Sequence, residues 1–62
     1  MMRQHLYYLK TYGPVEHARR RKFAAVAGLH RHIEGLLAFA RDIEPEYADS
    51  YKKELASITW PL

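Results

Sequence analysis

Apolar positions along this chain recur at helical intervals, and three proline-bearing breaks divide them into segments. Met2, Leu6 and Leu9 are spaced four and three apart, which predicts a first short helix over about 2–12. Gly13-Pro14 then stops and restarts the chain, because glycine admits left-handed backbone and proline favours a first helical turn. Phe23, Val26, His30, Ile33, Leu37 and Ala40 follow in 3-4-3-4-3 spacing, with a second stripe of Leu29, Ile33, Leu36, Ala40 and Ile43 beside it. Two adjoining stripes are wider than a two-stranded seam needs, so this helix is expected to pack on two sides. It is predicted to run over about 15–43, roughly 43 Å at 1.5 Å per residue. It is either a rod that dimerises along its length or a helix broken at Gly28. A third helix is predicted after Pro45, with Glu46 and Asp49 in its first turn, where the macrodipole favours anions. Tyr47, Tyr51, Leu55 and Ile58 form its stripe, and Trp60 is expected to anchor the tail to the core. No stretch alternates with period two. The expected fold is all-α: one domain over 1–62, three helices with a long central one, assembled as a helical homodimer or larger oligomer.

Composition strengthens the expectation of a partner. Of the 62 residues, 48% are hydrophobic, but eight are alanine and five tyrosine, which leaves 17 large, purely apolar side chains. A chain this short buries only about 60% of the surface its unfolded form exposes, so a lone core is marginal. Small domains usually add a disulfide, a metal or a second subunit. Cysteine is absent, which excludes disulfides, iron–sulfur clusters and thiolate zinc sites. The opening residues contain no signal-peptide core, and the span 23–43 is interrupted by His30, Arg31, His32, Glu34, Arg41 and Asp42. No membrane span is therefore expected, and a cytoplasmic protein is the default.

Charge is unevenly placed. Residues 1–31 carry seven Lys/Arg against one acid, and residues 32–62 carry three against six, giving +6 and −3. The cluster Arg19, Arg20, Arg21 and Lys22 is read as lying near a helix N-terminus, where cations oppose the macrodipole, so it suggests an anion such as a phosphate backbone. On a continuous helix Arg20 and Arg31, eleven apart, share a side, as do Arg21 and His32, extending a basic stripe. The plainer reading is a solvated face. The run 23–29 also resembles the turn of a helix-turn-helix motif, with Ala24 four before Gly28. The apolar anchor expected six after the glycine falls on Glu34, with Ile33 one residue early, a displacement of about 100° around the helix. The likeness covers about 15 residues and identifies no family.

The remaining residue types add little chemistry. His30 and His32 lie two apart on different faces, and His30 with Glu34 gives only two ligands, so no metal site is expected. His30 reads as a polar residue within the apolar seam. His17 and His32 are expected to flank the basic stripe and make it pH-sensitive. No nucleophile arrangement or glycine-rich phosphate loop exists, so no enzyme activity and no cofactor are expected. Gly28 and Gly35, seven apart, imply either close approach of another helix or, for Gly28, a helix end. Five tyrosines suit an interface, since they bury area while keeping a polar edge.

The sequence therefore predicts a small accessory or regulatory module that works by binding another protein through a helical, tyrosine-rich surface. The expected interface comprises Tyr7, Tyr8, Val26, Leu29, Ile33, Leu36 and Leu37. The alternative is binding of DNA or RNA through Arg19, Arg20, Arg21, Lys22 and Arg31. Self-association and a larger protein partner are both expected; a membrane partner is not.

Overall fold

Gly13 takes φ 85 and ψ 165, and this one residue divides the first helical region in two. The computed structural model describes residues 2–62, whose helices are α1, Met2–Arg20; α2, Val26–Ile43; and α3, Pro45–Ala56. The Gly13-Pro14 break expected from the sequence is therefore present as a kink inside α1. Glycine is needed there because its φ lies in the left-handed region. No strand occurs among the described residues, and the all-α expectation holds.

The expected rod over 15–43 does not exist. Its length would be roughly 43 Å, whereas the molecule's longest dimension is 30 Å. The chain turns at 21–25, not at Gly28, which lies in the first turn of α2. The turn is a Schellman closure: the Phe23 amide donates to the Ala18 carbonyl at 2.9 Å, and the Lys22 amide donates to Arg19 at 3.1 Å. Lys22 occupies the left-handed position, with φ 62. That position usually holds glycine, so a sequence reading that looks for glycine passes over this helix end. The helix-turn-helix likeness fails with it, because its supposed turn lies inside α2.

The double stripe on α2 does pack on two sides, against α1 and α3. Leu29 and Ile33 are its centre, 0% and 1% exposed. Met2, Leu6 and Leu9 come in from α1, Ala18 from beyond the kink, and Tyr51 from α3. Val26, Leu36 and Leu37 are half-buried against this cluster. Trp60 also packs on it, with its ring edge-on to His30 at 4.8 Å, so the tail is anchored as expected. Pro45 opens α3 directly after Glu44, the one residue between α2 and α3.

Candidate functional site

Breaking the helix at 21–25 changes what the basic cluster is. Arg19 and Arg20 lie in the last turn of α1, a C-terminus, where the macrodipole favours cations. Both guanidinium groups donate to Glu16, Arg19 at 2.7 and 3.1 Å and Arg20 at 2.9 Å. Hydrogen bonds from Arg19 and then Arg20 hold the Glu16 carboxyl below the usual carboxylate range, and Glu16 in turn raises Arg19. Arg20 also covers the Tyr12 ring at 4.1 Å. Arg21 and Lys22 sit in the turn, and Arg31 is exposed on a different helix. The continuous basic stripe inferred from Arg20 with Arg31 and Arg21 with His32 therefore does not form. Helix-end electrostatics and one shared carboxylate account for Arg19 and Arg20, two residues of the cluster.

The proposed interface residues separate into two groups. Leu29 and Ile33 are interior residues of the subunit itself, and Val26, Leu36 and Leu37 mostly so; they do not form a free seam. Tyr7 is 61% exposed and Tyr8 half-buried. Tyr7 lines a groove of about 330 Å³ between α1 and α3, together with Tyr47 and Tyr51. Leu6 and Tyr51 bring apolar surface to it, and Arg3 lies 5.9 Å over the Tyr47 ring. Lys10 of α1 and Glu54 of α3 form an ion pair at the same groove. Tyr47 is among the five tyrosines that suit an interface, but its meeting with Arg3 and Glu54 around one groove is not legible along the chain, because Lys10 and Glu54 are 44 positions apart and no local spacing connects them.

A cluster of histidines is the other feature that spacing did not reveal. His5, before the Gly13 kink, meets His17, after it, through a 2.8 Å hydrogen bond between His5 Nδ1 and His17 Nε2. One ring must donate and the other accept, so only one of the two facing nitrogens carries a proton. His32 of α2 lies edge-on to His5 at 5.4 Å, and Tyr8 stacks on His17 at 5.6 Å. His17 is 1% exposed, so it does not flank a solvent-facing basic stripe as the sequence suggested; His32 does remain exposed. Burial, then the charges of His17, His32 and Arg21, push His5 down to about 4. Burial and Arg21 lower His17 as well. His30 is half-buried in the seam, with Nδ1 3.4 Å from Glu34. Among the described residues, no group of three His, Asp or Glu side chains is arranged to hold a metal ion, and no helix is long and apolar enough to cross a membrane. No known protein family, curated protein or solved structure matches the chain.

Proposed function

We propose that this protein is a non-enzymatic accessory module whose α1–α3 groove binds a segment of a larger protein. The observation that supports this most is the pairing of two exposed tyrosines, Tyr7 and Tyr47 (61% and 43% exposed), over an apolar floor of Leu6 and Tyr51. Tyrosine and arginine are enriched among hot-spot residues at protein interfaces, and tyrosine buries large area with little lost rotamer freedom. Arg3 beside Tyr47 and the Lys10–Glu54 pair supply a polar rim of both signs. The nucleic-acid reading is the second one, because two of its five residues, Arg19 and Arg20, already complement a helix C-terminus and Glu16. One experiment separates the two. Tagged protein is used for capture from nuclease-treated lysate, beside Tyr7→Ala/Tyr47→Ala and Arg19→Gln/Arg20→Gln/Arg21→Gln variants. The expected result is a partner retained after nuclease and by the arginine variant, and lost by the tyrosine variant. Capture that disappears with nuclease, and weakens steeply between about 50 and 200 mM salt, would instead establish the nucleic-acid class.

We also propose that the chain pairs with a second copy of itself through another face. Phe39 and Ile43, 60% and 58% exposed, stand one turn apart on α2 beside a groove of about 430 Å³ that they line with Leu36. The same groove carries one cation and one anion, Arg3 and Glu44, with no ion pair between them among the described residues. A two-fold pairing that brought Arg3 of one copy to Glu44 of the other would make this rim complementary to itself.

A further inference from the structure

We propose that the His5–His17 pair is a proton-sensitive latch, which holds the stretch of α1 after Gly13 closed against the rest of the bundle and releases it on acidification. The hydrogen bond joins residues on either side of the kink, so it closes an angle that the backbone alone leaves adjustable. Besides that bond, the stretch is held across the kink by Tyr8 stacked on His17 and by Arg20 over the Tyr12 ring. Between Gly13 and the end of α1, only His17 and Ala18 are buried, and Val15 is 60% exposed. Releasing this stretch therefore exposes little apolar surface, which is the condition for opening below the free energy of global unfolding.

The environment makes the latch respond to protons in one direction. The groups facing the pair are Tyr8 and Arg20 on α1, Arg21 in the following turn, and His32 from α2. The histidine–carboxylate pair found among the described residues is His30 with Glu34, outside the cluster. Added charge on His5 or His17 therefore meets positive neighbours and a buried site, with no anion to receive it. Protonation of the accepting ring also removes the lone pair that takes the hydrogen bond, whereas a proton on the donating ring goes to its other nitrogen and leaves the bond in place. Both rings are held below the ordinary histidine range of about 6.5, so the closed form binds fewer protons than the open one. Its stability is complete above about 6.5 and falls as the pH drops from there toward about 4, where His5 itself protonates in the closed form.

Amide hydrogen exchange followed by NMR on the full chain tests the latch. After correction for intrinsic exchange, protection of amides 15–21 is expected to fall about tenfold or more between pH 6.5 and 4.5, while α3 and the second half of α2 keep theirs. His5→Gln/His17→Gln, which retains hydrogen-bonding groups and cannot titrate, is expected to abolish this dependence. His32→Gln, an exposed change that leaves the buried pair in place, provides a second reading. With one positive neighbour removed, acid should cost 15–21 less protection. Uniform loss across all three helices, unchanged protection of 15–21 down to pH 4.5, or an unaltered pH profile in either variant would overturn the proposal.

Discussion

Gly13 and Gly35 show how differently one residue type works in this chain. At Gly13 the backbone has φ 85, so a side chain there is strained even though an added Cβ would meet nothing within 4 Å. At Gly35 the helix is regular and the space around a Cβ is open. Gly13→Ala is therefore expected to destabilise by about 1–2 kcal/mol, and Gly35→Ala to stabilise by about 1 kcal/mol. Thermal melts at pH 7 check both: opposite shifts of Tm, each on the order of 4–8 °C. A loss of stability at Gly35→Ala would mean that something packs closely on that face of α2. Gly28 asks for no close approach either, since a Cβ there meets only Phe23 Cδ1 at 3.8 Å, an ordinary contact.

At the scale of the element, the decisive event is where α1 ends. Neither glycine nor proline marks the turn in the sequence, where four basic residues run from 19 to 22. What ends the helix is a Lys22 in left-handed backbone that lets Phe23 donate back to Ala18 and fold over the core. Because lysine bears a steric cost there that glycine avoids, Lys22→Gly is expected to stabilise the protein by about 0.5–1 kcal/mol. A urea denaturation midpoint that rises with unchanged slope would show it; a fall would mean that the Lys22 side chain contributes more than its backbone costs. The same helix end reverses a sign. Arginines at a helix N-terminus would be better replaced by glutamine. At this C-terminus, Arg19→Gln/Arg20→Gln/Arg21→Gln removes favourable charges and the Glu16 pairing, so a small loss of stability is expected.

For the molecule as a whole, the thin core sets the terms. Leu29 and Ile33 at the centre, with Met2, Leu6, Leu9, Ala18, Ala40 and Tyr51 buried around them, make a small core for three helices. A second copy over Phe39 and Ile43 would add buried apolar area where the single chain has least. Light scattering at micromolar concentration is expected to give about twice the 7.3 kDa chain mass. Phe39→Glu is expected to return it to one chain without loss of helical circular dichroism. Because neither Phe39 nor Ile43 lines the tyrosine groove, the same variant should still capture the proposed partner. A wild-type protein that stays at 7.3 kDa would end the self-pairing proposal and leave the groove proposal standing.

Helical spacing, the Gly13-Pro14 break, the start of α3 at Pro45, the two-sided packing of α2 and the anchoring of Trp60 could all be read along the chain. Each depends on residues within a few positions of one another, where 3.6-residue periodicity and the fixed backbone preferences of glycine and proline act directly. The end of α1 could not be read so, because a lysine adopts the left-handed conformation only when the surrounding packing compensates its cost. Everything downstream of that turn was decided in three dimensions. It placed the arginines at a helix C-terminus, sent Leu29 and Ile33 inward, and brought Tyr7 beside Tyr47 across two helices. The Gly13 kink, before that turn, joined His5 to His17. Pairings of this kind arise from how helices pack, and no local spacing encodes them.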